Sequence, residues 1–120
     1  MIGVGNTPLI KLSDKLYGKL EAVNPGGSIK DRPVKYILDA YEANGILKKG
    51  DTIIEATSGN TGISLAMMCA ERGLNCVIVM PSDMSEERKK MVTLVHIMVE
   101  KRKSSEVNGN RKYPNNKIIR

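Results

Sequence analysis

Asn24-Pro25-Gly26-Gly27-Ser28-Ile29-Lys30-Asp31-Arg32 sets one lysine behind a glycine-rich turn and at the mouth of a helix. Pro25 and the glycine pair interrupt whatever precedes them, because glycine adopts backbone angles that other residues avoid. Ser28 suits an N-cap, and Asp31 suits the positive end of a helix dipole. Pro33 is tolerated in a first turn, where the N–H it lacks would have had no partner. Val34, Ile37, Leu38 and Tyr41 follow at helical spacing. A helix is therefore predicted over about residues 28–43, stopped by Asn44-Gly45. Lys30 then falls in the first turn, where the helix field disfavours a cation. Desolvation there would favour a neutral, nucleophilic amine suited to a carbonyl or aldehyde cofactor. A solvated lysine behind a plain turn accounts for the stretch as well.

Outward from that turn, residues 8–12 and 17–23 read as short strands, the second by alternation. Residues 52–55 form a compact strand. A helix follows with Ile63, Ala66, Met67 and Ala70 on one face, closed by Gly73. The apolar run over residues 76–80 suits a strand covered on both faces. Ser85 caps a third helix, with Glu86 and Glu87 in its first turn and Met91, Leu94, Val95 and Met98 in register to about residue 99. Alternating strands and helices predict an α/β fold with a parallel sheet.

Ala56-Thr57-Ser58-Gly59-Asn60-Thr61-Gly62 is the second stretch able to carry chemistry. It joins the carboxyl end of a strand to a helix, the place where open α/β sheets bind ligands. Unpaired N–H groups and the helix dipole attract an anion there, and Thr57, Ser58, Asn60 and Thr61 add side-chain donors. No Lys-Ser/Thr pair follows the last glycine, so this is not a Walker loop, and the glycines do not fit the dinucleotide fingerprint. A capped turn without a ligand fits the spacing equally well. Both stretches follow strands and precede helices, so in one parallel sheet both would face the same edge. A nucleophilic lysine opposite an anion pocket suggests imine chemistry on a substrate bearing a carboxylate.

The net charge of +6 is local. Residues 1–100 hold twelve Lys/Arg and twelve Asp/Glu, whereas residues 101–120 hold seven Lys/Arg against Glu106 alone. The body thus gives no electrostatic case for nucleic acid, and four tyrosines offer few stacking platforms. The segment 101–120 is read as a basic, disordered tail and residues 1–100 as the folded unit. Cys69 and Cys76 match no metal or redox spacing and read as small buried side chains in a reducing compartment. There is no secretory pattern and no membrane-length apolar run, so the expectation is a cytoplasmic protein without a metal site.

Together, Gly5-Asn6-Thr7-Pro8-Leu9, the lysine stretch, Thr57 to Gly62, and Pro81-Ser82-Asp83-Met84-Ser85 with Glu86-Glu87-Arg88 resemble the cysteine synthase (O-acetylserine sulfhydrylase) family. Cystathionine β-synthase shares much of the pattern. The likeness covers about residues 2–92 in the right order. It implies the front portion of pyridoxal-phosphate fold type II, a partial three-layer αβα parallel sheet. By that resemblance Lys30 holds pyridoxal 5'-phosphate and later removes the α-proton of O-acetylserine. Acetate leaves and sulfide adds to give cysteine. Asn60 matches the asparagine bonded to the cofactor's ring hydroxyl. Thr57, Ser58, Gly59, Asn60 and Thr61 match the loop that grips the carboxylate of the amino-acid substrate.

The departures from the family also bear on function. Its members are homodimers more than twice this length. After Val92 its pattern expects a Gly-Ala-Glu turn and another strand, followed further on by a glycine-rich phosphate cradle. This sequence instead reads Thr93-Leu94-Val95-His96-Ile97-Met98 and then the basic segment. The expectation is an N-terminal piece, inactive alone. Its alternatives are a non-catalytic truncated relic or interaction module, and a cystathionine β-synthase-type lyase.

Overall fold

The computed structural model describes residues 3–57, 59–81, 83, 85–87, 90, 98–102 and 116–118. Strands β1 (Leu9–Ser13) and β2 (Leu16–Lys19) form an antiparallel hairpin of their own, with Leu9 opposite Lys19. Alternation predicts strand to Val23, but the chain leaves the hairpin at Lys19 and winds Glu21–Val23 into one 3-10 turn. The Asn24 side chain explains the change. Its Nδ2 donates to the Glu21 carbonyl at 2.8 Å, closing that turn locally instead of across a ladder.

Helix α1 spans Asp31–Ala43, two residues later than its N-cap signal suggests. Ser28 does act on the backbone ahead of it, since its Oγ accepts from the Lys30 N–H at 3.2 Å. That bond closes a turn before the helix rather than the helix itself, which leaves Lys30 at the N-cap position. Val34 and Leu38 are buried, with Ile37 and Tyr41 packed beside them, as the apolar stripe requires.

Strand β3 (Thr52–Ala56), helix α2 (Asn60–Arg72) and strand β4 (Asn75–Pro81) form the strand–helix–strand unit. β3 and β4 pair in parallel, Ile53 beside Cys76 and Glu55 beside Ile78. Gly73 ends α2 in the left-handed conformation at φ 67, and the Leu74 N–H returns to the Cys69 carbonyl at 2.9 Å. Burial on α2 is wider than the predicted stripe. Leu65, Ala66, Met68 and Cys69 are buried, Ile63 and Met67 pack at the margin, and Ala70 is exposed. The reason is that α2 meets β4 on one side and α1 on another.

The core is one cluster of Val34, Leu38, Leu47, Ile53, Leu65, Met68, Ile78 and Met80 with their small neighbours. Cys69 and Cys76 lie in it as free thiols. Cys69 shares a hydrogen bond with Cys76, which draws the Cys69 thiol below its ordinary range and pushes that of Cys76 up.

Two further strands, β5 (Met98–Arg102) and β6 (Asn116–Ile118), complete a parallel sheet of order β5-β4-β3-β6. They fall where the sequence reading has a helix end and a disordered tail. An open sheet edge presents unpaired N–H and C=O groups, and an extended backbone can satisfy them without an apolar pattern. Of the expected third helix, Glu86, Glu87 and Lys90 are helical, and residues 88, 89 and 91–97 lie outside the described set.

Candidate functional site

The first turn is fastened from beneath by a polar cluster. Asn24, 3% exposed, accepts the Gly5 N–H at 2.9 Å and donates to the Glu21 carboxylate at 2.8 Å and the Ser28 carbonyl at 3.1 Å. Glu21 also takes two bonds from Arg32, at 2.7 and 2.9 Å, and one from Thr7 Oγ1 at 2.6 Å. Those donors, Arg32 first and then Thr7, lower the Glu21 pKa from 4.5 to about 2. The Gly5-Asn6-Thr7 stretch is thus what anchors the lysine turn from the N-terminal side, a role its residue types alone did not disclose.

Asp31 links this turn to helix α2. It is fully buried, and its two carboxylate oxygens have different partners. Oδ2 accepts the Gly26 N–H at 2.6 Å, and Oδ1 accepts the Ser64 hydroxyl of α2 at 2.5 Å. At the other end of the pair, Arg72 of α2 donates to Asp39 and Glu42 of α1, each at 2.6 Å. The Asp31–Ser64 and Asp39–Arg72 ties both join residues 33 apart in sequence. The two helices therefore lie side by side and parallel, with their N-termini at one end.

This geometry replaces the reason given by the sequence. The strand before the lysine turn belongs to the separate hairpin, so the turns do not meet by sharing a sheet edge. Instead the helices they open, α1 and α2, dock in register with their N-termini at one end. Sequence reasoning singled out Asp31 for the helix dipole and missed Ser64. Ser64 lies off the predicted apolar stripe of that helix, so the spacing gave no signal for its burial.

Lys30 stands at the mouth of α1 and is exposed, with no hydrogen bond or ion pair to its Nζ among the described residues. The desolvation expected for it is not supplied by them. Asn60 opens α2, is exposed, and likewise has no side-chain partner among them. Thr57 is half-buried and its Oγ1 accepts the Gly59 N–H at 3.3 Å, while a side chain added at Gly59 would meet open space. Thr61 is half-buried, and Ser58 lies outside the described residues. A free amine, a free amide and open space around a helix N-terminus fit a phosphorylated aldehyde cofactor and a carboxylate. Among the described residues there is no cluster of His, Cys, Asp and Glu able to hold a metal, and no helix long and apolar enough to cross a membrane.

Fold and site thus define a chain of the open α/β type, with a lysine turn and a strand-to-helix loop opening two helices whose N-termini lie at one end. The profile of the family described as pyridoxal-phosphate dependent enzyme matches residues 1–111, and the chain belongs to that family. The match continues past Val92, where the motif likeness stops. Cystathionine beta-synthase of Apis mellifera is 50% identical over 97 residues, covering 73% of this chain and 19% of that protein. Cysteine synthase B of Pseudomonas aeruginosa is 47% identical over 97 residues, covering 75% and 32%. The crystal structure of O-ureido-L-serine synthase superposes with a TM-score of 0.80 at 40% identity, covering 87% of this chain and 36% of the other. That of a hydrogen sulfide-producing enzyme of Fusobacterium nucleatum gives 0.80 at 41% identity, covering 86% and 36%. The fold is that of the pyridoxal-phosphate type II enzymes, and the chain spans less than a third of the two curated relatives and 36% of each of the two solved chains.

Proposed function

We propose that this chain carries the lysine turn and carboxylate loop of an enzyme of cysteine biosynthesis. The reaction is β-replacement, in which O-acetylserine and sulfide give cysteine and acetate. The observation that carries this reading is the in-register pairing of α1 and α2, which brings the mouth of α1 and the start of α2 to one end. Lys30 would hold pyridoxal 5'-phosphate through Nζ, and Asn60 would bond its ring hydroxyl. When bound, the cofactor supplies an aldehyde and a sink for electrons. Thr57, Ser58, Gly59, Asn60 and Thr61 grip the substrate carboxylate at the positive end of α2. So held, the substrate presents its α-proton to Lys30 Nζ, which takes it as base, and proximity lowers the barrier. The compartment is the cytoplasm, a reading supported by the free Cys69 and Cys76.

Likeness to the Apis mellifera protein favours a second reading, in which the same residues serve a cystathionine β-synthase-type reaction. A third reading, a non-catalytic relic or interaction module, draws on the exposure of Lys30. Incubating the chain with pyridoxal 5'-phosphate, reducing with borohydride and mapping the adduct by mass spectrometry tests the first reading. The adduct is expected on Lys30 and lost in Lys30→Ala. Adducts spread evenly over the other lysines would overturn it and favour the third.

A further inference from the structure

We propose that Asp31 and Ser64 are positioning residues, which hold the lysine turn against the carboxylate loop so that the two act as one site. This rests on the functional reading above and deepens it. Asp31 follows Lys30 directly, and Ser64 lies one helical turn after Asn60. Both are fully buried, and the 2.5 Å bond between them is the tie at the site end of the helix pair. The other Asp31 oxygen holds Gly26, the residue that shapes the lysine turn, at 2.6 Å. One carboxylate therefore fixes the turn before Lys30 and, through Ser64, the helix that opens with Asn60. A charge-assisted bond in a dry setting is among the stiffer links a side chain can make. Arg72 ties the same two helices at the far end, where no site residue lies. It separates the loss of docking from the loss of positioning.

The test uses the full chain with pyridoxal 5'-phosphate and O-acetyl-L-serine. The substrate's amine competes with Lys30 for the aldehyde, so borohydride-trapped label on Lys30 falls as the amino acid is added. The concentration that halves the label reports how well both turns engage one molecule. Ser64→Ala is expected to raise that concentration about tenfold, as loss of a charge-assisted bond predicts, while labelling without amino acid changes less than about twofold. Arg72→Ala is expected to lower the melting temperature yet leave the concentration within about twofold. Asp31→Asn can still accept from Gly26 and donate to the Ser64 hydroxyl, so it retains most of the response. Asp31→Ala loses it. The Asp31 pair keeps the claim testable if Ser64→Ala does not fold. An unchanged concentration in Ser64→Ala, an equal rise in Arg72→Ala, or failure of Asp31→Asn to outperform Asp31→Ala would overturn the inference alone. Absence of label on Lys30 in the unaltered chain would overturn the functional reading and the inference with it.

Discussion

Glu21 gathers the side chains that fasten the lysine turn from beneath. Its carboxylate collects Arg32, Thr7 and Asn24, and its pKa falls from 4.5 to about 2. An acid with a folded pKa below its unfolded value stabilises fully above the unfolded value and loses that contribution as pH falls through the folded one. The contribution of Glu21 is therefore complete at neutral pH and fades between about pH 4.5 and pH 2. Urea midpoints across that range should show Glu21→Gln weaker at pH 7, with the gap to the unaltered chain closing toward pH 2. Gly26 meets a different constraint. A side chain there would run into the Asp31 carboxylate. Gly26→Ala should lose about 1–3 kcal/mol in denaturant titration, the usual range for overpacking. The glycine was legible in the sequence as a turn residue, but its buried acid neighbour was not. That clash depends on Asp31 folding back five residues onto the turn.

At the scale of elements, the parallel packing of α1 and α2 has an electrostatic consequence. Parallel helices bring like dipole ends together, and cations near the shared C-terminal end relieve that. Arg72 meets this need while bonding Asp39 and Glu42. Lys35, first, and then Arg72 hold the Asp39 acid below its ordinary range. Arg72→Ala should lower stability by about 1 kcal/mol, as partly exposed ion pairs do, and thermal melts in high salt should shrink the difference. Much of this level was readable. The apolar stripe of α1, the glycine stop of α2 and the continuous run of β4 follow local pattern, and the structure keeps them. The misread pieces are those where one side chain overrides the pattern. Asn24 diverts the expected end of β2, and Ser28 closes a turn ahead of α1 instead of capping it.

For the whole molecule, the core lies between the helix pair and one face of the β3–β4 sheet, and the hairpin stands outside it. Leu38 is fully buried, whereas Leu12 is 62% exposed. Leu38→Ala should therefore cost about 2–5 kcal/mol, and Leu12→Ala should stay within about 0.5 kcal/mol, both read from chemical unfolding. The parallel sheet was legible from alternating strands and helices. Its outer strands β5 and β6 were not, since pairing at an edge is made by backbone groups that every residue carries alike. Of the candidate site, the two turns were legible, but the docking of the helices they open was not. It depends on a contact between distant helices that no local spacing encodes.

The twin ties also act as a ruler. Eight residues separate Asp31 from Asp39 on one helix, and eight separate Ser64 from Arg72 on the other. One residue inserted into either interval would swing the second anchor by about 100° around its axis and advance it by about 1.5 Å. Lineages of this fold should therefore change length freely in the hairpin and in the turn before β3, but keep both intervals at equal count or alter them together.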